Sequence, residues 1–289
     1  MSEIFLRKWG SLGSGNGQFD LPYGVAVYNS EVFVADANNN RIQVFTLAGA
    51  YLRQWGEYGA GNGQFHSPAG IAVFGSEVFV ADSSNYRIQV FDLNGVYLRQ
   101  WEYYTSNVGE YDYSFAVAVY NFEVFVAWAN SCSIQVFTLN GAFLRQWGEV
   151  GTGDGQMAYP YGIAVYNSEV FVADKNNYRI QVFSLVGVFL RKWGSYGSGS
   201  GQFKQPSGIA VYNSEVFVVD RDNNCIQVFT LAGAYLRQWA GYDNGSGGFN
   251  YPFGVDVCKG EVFVADSYNY SIQVFGAVRV DHLPLVGVH

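Results

Sequence analysis

A 46-residue internal repeat constrains the fold of this chain more than any other sequence feature. Tryptophan recurs at this spacing at Trp9, Trp55, Trp101, Trp147, Trp193 and Trp239. The motif Ile-Gln-Val-Phe keeps the same spacing and begins at Ile42, Ile88, Ile134, Ile180, Ile226 and Ile272. Six units of equal length are therefore present, and a period of this size is typical of propellers and solenoids.

Each unit contains four short segments rich in β-branched and aromatic residues, separated by turn-forming Gly, Asn, Asp and Ser. In the first unit these segments are 24–27, 31–35, 41–45 and 51–55. The second is apolar at successive positions, which predicts an interior strand covered on both faces. The fourth mixes polar and apolar residues and is typical of an outer strand, where Arg53 would discourage pairing between sheet edges. The pattern predicts a four-stranded antiparallel meander in every unit.

Six such units predict an all-β fold, a six-bladed β-propeller, with a continuous solenoid as the alternative. The order of segments at the two ends favours the propeller. Trp9 precedes the first Ile-Gln-Val-Phe segment, whereas no Trp follows the last one. We therefore expect the N-terminal strand to pair with 272–275, complete the sixth blade and close the ring.

The sequence predicts a single propeller domain over 1–276 and a C-terminal tail over 277–289. The expected blades are approximately 19–56, 65–102, 111–148, 157–194, 203–240, and 249–275 together with 4–10.

Composition limits the classes of partner and compartment. The net charge of −8 disfavours nucleic acid, because affinity for polyanions depends on Lys and Arg neutralising phosphates. No apolar run approaches the roughly 20 residues that span a bilayer, and the first residues lack signal-peptide features, so we expect a cytoplasmic protein. We also expect it to be a monomer. Three cysteines in unlike repeat positions predict free thiols: Cys132, Cys225 and Cys258.

Several motifs of the repeat resemble those of the NHL family over nearly the whole chain. They include Gly-Gln-Phe at 63–65, Pro-Ala-Gly-Ile-Ala-Val at 68–73, Val-Phe-Val-Ala-Asp at 78–82 and Asn-Tyr-Arg-Ile-Gln-Val-Phe at 85–91. NHL-like proteins include protein- and RNA-binding domains of tripartite-motif ubiquitin ligases, bacterial sensor-kinase domains and a metal-dependent peptide-amidating lyase of similar fold. The resemblance implies a recognition platform with an unspecified partner, because a fold alone does not define a function.

Closure of the ring would arrange six side chains around the mouth of the central channel: Tyr23, Ala69, Phe115, Tyr161, Ser207 and Phe253. The four aromatic members predict a surface that stacks on a peptide, sugar or ring-bearing ligand, or alternatively a plug for the channel end. Asp256 stands where the other repeats have alanine. We expect this acid either to be solvated in a water-filled channel or to contact a ligand or ion there.

The third repeat departs most from the others. It carries additional tyrosines beside acidic residues, and a Trp where most repeats have Asp. These features predict a partner-binding patch that would select a basic segment: Tyr103, Tyr104, Tyr111, Tyr113 and Trp128. Drift within a degenerate repeat is the alternative.

Three aspartates each precede an arginine by five residues, namely Asp36, Asp82 and Asp174. This spacing across a turn predicts a structural ion pair. Asp220 and Asp266 face Cys225 and Ser271 instead, which makes them candidates for contacts with a metal or a cationic ligand.

Together these features predict a non-catalytic scaffold, without cofactor or metal, that binds protein or peptide through the loop face and channel mouth. A hydrolase or lyase with a pocket on that face is the alternative. The three histidines, His66, His282 and His289, form no repeated constellation that would hold a catalytic metal. A recently amplified or engineered repeat without an evolved ligand is a further alternative.

Overall fold

A computed structural model describes residues 4–102, 112–243 and 247–276. The first strand is β1 (Ile4–Trp9). Blade 1 contains β2 (Pro22–Tyr28), β3 (Glu31–Asp36), β4 (Arg41–Thr46) and β5 (Tyr51–Trp55). Blade 2 contains β6 (Pro68–Phe74), β7 (Glu77–Asp82), β8 (Arg87–Asp92) and β9 (Tyr97–Glu102). Blade 3 contains β10 (Ser114–Tyr120), β11 (Glu123–Trp128), β12 (Ser133–Thr138) and β13 (Phe143–Trp147).

The second half of the chain repeats this arrangement. Blade 4 contains β14 (Pro160–Tyr166), β15 (Glu169–Asp174), β16 (Arg179–Ser184) and β17 (Phe189–Trp193). Blade 5 contains β18 (Pro206–Tyr212), β19 (Glu215–Asp220), β20 (Cys225–Thr230) and β21 (Tyr235–Trp239). Blade 6 contains β22 (Pro252–Cys258), β23 (Glu261–Asp266) and β24 (Ser271–Gly276). Short 3-10 turns cover Ser83–Asn85, Lys175–Asn177, Arg221–Asn223 and Ser267–Asn269.

The N-terminal strand closes the ring, as the sequence predicts. The sixth sheet has the order β1-β24-β23-β22, whereas the other five sheets each use four consecutive strands. Within the sixth sheet β1 runs antiparallel to β24, with Phe5 opposite Phe275 and Trp9 opposite Ile272. The fold is therefore a closed six-bladed β-propeller rather than a solenoid.

The hydrophobic core consists of layers between adjacent blades. Phe33 of β3 packs in one cluster with Val78 and Val80 of blade 2, and all three are fully buried. The same kind of cluster joins Val32 of blade 1 to Phe263 of blade 6, across the closure. Burial of each Val or Phe side chain contributes about 1.5–3 kcal/mol, so stacking of sheets around the ring is the main stabilising interaction.

An arginine of the outer strand connects neighbouring blades at five positions in the described part of the chain. Arg53 donates to both carboxylate oxygens of Glu31, at 2.7 and 2.5 Å, and through Nε to the Leu93 carbonyl oxygen of the next blade at 3.0 Å. Arg7 bonds Glu261 and the Leu47 carbonyl oxygen in the same way, across the ring closure. These arginines have defined partners within and between blades, in addition to their expected position at a sheet edge.

Within the described residues, no helix is long and apolar enough to cross a membrane.

Candidate functional site

The first strand of each blade lines the central channel and begins at one end of it. We call this end the mouth face; it comprises the starts of the six inner strands, such as 21–23, and the turns between second and third strands, such as 37–40. The inner strands approach closely, since a Cβ added at Gly24 would overlap the Ala69 carbonyl oxygen. The narrow ring therefore brings side chains from different blades into contact at the mouth.

The four predicted aromatic residues form one cluster across the mouth. The rings of Tyr23 and Phe253 are stacked with centroids 4.3 Å apart, and so are those of Phe115 and Tyr161. Tyr161 meets Phe253 edge to face at 5.0 Å and links the two pairs. Tyr161 and Phe253 are buried, whereas Tyr23 and Phe115 are half-buried. The cluster closes the channel end and also presents aromatic surface outward, so its geometry is compatible with both predicted roles.

Inner-strand residues in the described part of the chain line a cavity at each of two levels of the channel. One of about 80 Å³ lies directly against the aromatic cluster and is lined by inner-strand residues that include Gly24, Gly70 and Gly162. The other, of about 230 Å³, is lined by Val and Ile side chains, the repeated alanines and Asp256. Asp256 therefore lies inside the channel and does not line the cavity at the mouth, so the predicted site divides into an aromatic surface and an internal acid.

Two backbone amides hold the Asp256 carboxylate. The Val27 N–H donates to Oδ2 at 2.7 Å and the Val257 N–H donates to Oδ1 at 2.8 Å. Burial raises the pKa of Asp256 to about 6, although both hydrogen bonds oppose the rise. The acid is thus solvated in part by the backbone of its own blade and of blade 1.

One cation of blade 4 and one of blade 5 lie over tyrosines of the mouth face that belong to blades 4 and 6. The Lys175 ammonium group is 4.4 Å from the ring centroid of Tyr161 and 5.1 Å from that of Tyr159. The Arg221 guanidinium lies 5.3 Å from the ring centroid of Tyr251. Burial and the charge of Arg221 lower the pKa of Lys175. Sequence reasoning missed this pair, because the other four repeats have a small Ala or Ser at this position.

The predicted Asp–Arg ion pairs are confirmed. Arg87 Nε lies 2.7 Å from Asp82 Oδ2, and the corresponding pairs Arg41–Asp36 and Arg179–Asp174 measure 2.8 and 2.7 Å. Arg87 also donates to backbone carbonyl oxygens of the loop before β6, at Ala60, Gly61 and Gln64. The pairs are buried and connect the glycine-rich loop to its blade, which is a structural role.

Side-chain amide groups donate hydrogen bonds to the two aspartates that lack an arginine. Asp220 Oδ2 accepts hydrogen bonds from Asn223 at 2.6 Å and Gln227 at 3.2 Å. Asp266 Oδ2 accepts them from Asn269 at 2.8 Å and Gln273 at 2.7 Å. No group of three or more His, Cys, Asp or Glu side chains that could hold a metal ion occurs within 4–102, 112–243 and 247–276.

The structure describes two members of the predicted patch in blade 3 and places them in different environments. Tyr113 lies at the mouth, where its ring stacks on Phe115 at 6.2 Å and meets Tyr86 edge to face at 5.2 Å. Trp128 is fully buried in the core between blades 2 and 3, so it offers no surface to a partner. The remaining members, Tyr103, Tyr104 and Tyr111, lie outside the described residues.

Asp112, which the sequence places beside this patch, is a buried turn cap. Its Oδ1 accepts the Asn130 N–H at 2.6 Å and its Oδ2 accepts the Ser131 N–H at 2.7 Å. Burial raises its pKa, whereas these hydrogen bonds lower it. With little exposed surface and its oxygens satisfied, this carboxylate does not supply the surface charge that would select a basic segment.

The comparisons with known proteins agree with this architecture. A family model described as a 6-bladed beta-propeller, DUF5128, matches residues 18–114 and 156–240, and a model of the NHL repeat matches residues 249–275. The human E3 ubiquitin-protein ligase TRIM32 is 51% identical over 47 residues, which is 16% of this chain and 7% of the ligase. The chain therefore spans a small part of that relative's length.

Solved structures share the fold at low sequence identity. A structural genomics protein of unknown function from Bacteroides thetaiotaomicron is 19% identical with a TM-score of 0.71, over 95% of this chain and 75% of that one. The virginiamycin B lyase from Staphylococcus aureus is 15% identical with a TM-score of 0.66, over 96% of this chain and 100% of that one. Such identities show the fold alone. The last blade matches the NHL repeat. The first family model covers more than half of the residues of this chain, and the chain therefore belongs to the DUF5128 family of six-bladed β-propellers.

Proposed function

We propose that this propeller is a non-catalytic scaffold whose mouth face binds a protein or peptide segment. The observation that carries the proposal is the aromatic surface around the closed channel. Tyr159 and Tyr251 flank the central cluster, and Tyr58, Tyr196 and Tyr242 are 64–68% exposed on the loops around it. Tyrosine is enriched at protein interfaces, where it contributes a large contact area with few rotatable bonds.

Backbone geometry supports a preformed surface. Tyr159 and Tyr251 have φ angles of +61° and +48°, a left-handed conformation that costs a non-glycine residue roughly 1 kcal/mol or more. The corresponding Leu21 and Ser67 share it, so the conformation recurs before the inner strands of blades 1, 2, 4 and 6. Side chains at this position are held in place by the scaffold, which lowers the entropic cost of binding.

The relatives are consistent with recognition but do not define a partner. NHL repeats generally act as protein-interaction domains, and the short match to TRIM32 fits such a role. The likeness to virginiamycin B lyase extends to the fold only. We therefore assign binding to the mouth face from its own residues.

Selection from a random peptide library displayed on phage tests this function. Peptides that bind the parent protein should lose at least tenfold in affinity for a Tyr159→Ala/Tyr251→Ala double variant, since removal of interface aromatics costs more than about 1 kcal/mol each. Phe122→Ala is the matched control, because Phe122 is 67% exposed in a turn at the opposite end of the channel. Selected peptides that bind the double variant as well as the parent would contradict the proposal.

A further inference from the structure

Blades 4 and 5 form a sector of the mouth face whose charge is opposite to that of the whole protein. Lys175 and Arg221 occupy the same repeat position in these two blades, where blade 1 has Ala37. Lys204 adds a cation at the position of Asp20. Two acids flank Arg221 in the sequence: Asp222, and Asp220, whose buried carboxylate accepts hydrogen bonds from side-chain amides of its own blade. The sector defined by Lys175, Lys204, Arg221 and Asp222 is therefore net positive on a chain with a net charge of −8.

The cations of this sector have few partners within the protein. In the part of the chain that the structure describes, Lys175 makes no ion pair, and its contacts are the tyrosine rings beneath it. Arg221 Nε lies 3.8 Å from Asp222 Oδ1, which is too long for a hydrogen bond. By contrast, the buried Arg87 donates to a carboxylate and to several carbonyl oxygens. The mouth cations thus keep donors available for a ligand.

Unsatisfied acceptors lie in the same sector. The side-chain oxygen Oε1 of Gln205 and Oδ1 of Asp222 are buried without a hydrogen-bond partner. Gln205 occupies, in blade 5, the position that Tyr159 and Tyr251 occupy in the neighbouring blades. A buried acceptor without a partner needs a donor, which a backbone N–H group of a bound segment would supply.

We propose that this sector of the mouth face binds an acidic peptide segment, with carboxylates held by Lys175 and Arg221 and a neighbouring aromatic or apolar side chain packed on Tyr159 and Tyr251. The inference rests on the proposed function and specifies the charge of the partner. Charge complementarity carries it: carboxylates form strong charge-assisted hydrogen bonds with ammonium and guanidinium groups. The aromatic floor excludes water from one side of each cation and strengthens that attraction.

The inference differs from the sequence-based expectation of a basic partner. That expectation depended on acids in blade 3, of which Asp112 is buried and caps a turn. Cations on the mouth face of blades 4 and 5 would repel a basic segment. The two expectations predict opposite charges for the bound peptide, so binding measurements with acidic, neutral and basic peptides distinguish them.

Fluorescence polarisation with three labelled peptides tests the proposal on the full chain. The probe has the sequence Gly-Glu-Tyr-Glu-Gly, and its counterparts carry Gln or Lys in place of Glu. We expect the Glu peptide to bind at least tenfold more tightly than the Gln peptide, and the Lys peptide to bind most weakly. Higher salt should weaken the Glu peptide most, because exposed charges are screened.

Two variants locate the effect. Lys175→Gln/Arg221→Gln should reduce affinity for the Glu peptide roughly tenfold or more and leave weak binding of the Gln peptide unchanged. Lys259→Gln is the matched control, because Lys259 lies in an exposed turn at the opposite end of the channel. An equal loss in the control, or equal binding of the Glu and Gln peptides, would overturn the inference while peptide recognition by the mouth face stands.

Two further outcomes are distinguishable. If an oligouridylate of ten nucleotides competes more strongly than the Glu peptide, the cations serve a polyanion and the acidic-peptide inference fails. If none of the three peptides binds while library-selected peptides still require Tyr159 and Tyr251, the charge assignment fails and the proposed function stands. Failure of both assays would remove the proposed function itself.

Discussion

Blades 2 and 5 hold the same buried aspartate at the same repeat position, but only one of them pairs it with arginine. Asp82 accepts hydrogen bonds from Arg87, Asn85 and Gln89, and Asp220 accepts the equivalent amide bonds without an arginine. Both carboxylates are fully buried. The shared role of the aspartate is therefore to organise the turn and the third strand, while the arginine is an addition that connects the glycine-rich loop.

Removal of the aspartate should have the largest effect and should differ between the two blades. Asp82→Ala leaves the buried Arg87 guanidinium without its carboxylate, which costs about 3–5 kcal/mol in the free energy of unfolding. Asp220→Ala leaves only neutral amide donors without an acceptor, which costs about 1–3 kcal/mol in the free energy of unfolding. Urea denaturation of both variants measures the difference. Equal losses would show that the arginine adds nothing to the energetic role of the carboxylate.

The channel acid extends the comparison to a carboxylate held by backbone amides alone. Because its folded-state pKa of about 6 exceeds the ordinary value of 3.8, the folded protein retains a proton that the unfolded chain releases between these values. Stability is therefore lost as the pH rises from about 4 to about 6, by up to about 3 kcal/mol.

Asp256→Ala introduces the residue that Ala26 provides in blade 1, and it should remove this loss of stability with rising pH. We expect the variant to be more stable than the parent protein at pH 7, with a difference that shrinks towards pH 4. Thermal melting in a series of buffers measures it. A constant difference across this range would mean that Asp256 titrates normally in the folded protein.

Introduction of the missing arginine should have the smallest effect. In Cys225→Arg a guanidinium would reach Asp220 and the carbonyl oxygens of Gly199 and Gln202, which align with those that Arg87 bonds in blade 2. We expect a gain of about 1 kcal/mol in the free energy of unfolding. Cys225→Leu is the size control. If the arginine variant is no more stable than the leucine variant, blade 5 has adjusted to the loss of the ion pair.

The fold was predictable because its evidence is periodic. Equal spacing of Trp and of Ile-Gln-Val-Phe specified six blades, and the unpaired Trp9 segment specified the closure. The Asp82–Arg87 pair was also predictable, since five residues across a turn place the two side chains opposite each other. Contacts that follow from register within one blade can be derived from a repeat.

The candidate site was less accessible to sequence reasoning. Lys175 meets Tyr161 within blade 4, but the cation itself departs from the repeat pattern. Arg221 meets Tyr251 of the next blade, and this contact does not follow from spacing along one unit. Trp128 was interpreted as a surface residue because most repeats have a polar aspartate there, yet the position is buried in every blade. The residue type at this position did not reveal that the side chain is buried, because its burial depends on how the next sheet stacks against it.

The position of a bound peptide tests the central claim most directly. A crystal structure of the propeller with a library-selected peptide should show the peptide against Tyr159 and Tyr251 on the mouth face, with an acidic side chain between Lys175 and Arg221. A peptide bound at the opposite end of the channel near Phe122, or along the outer strands, would contradict recognition by the mouth face.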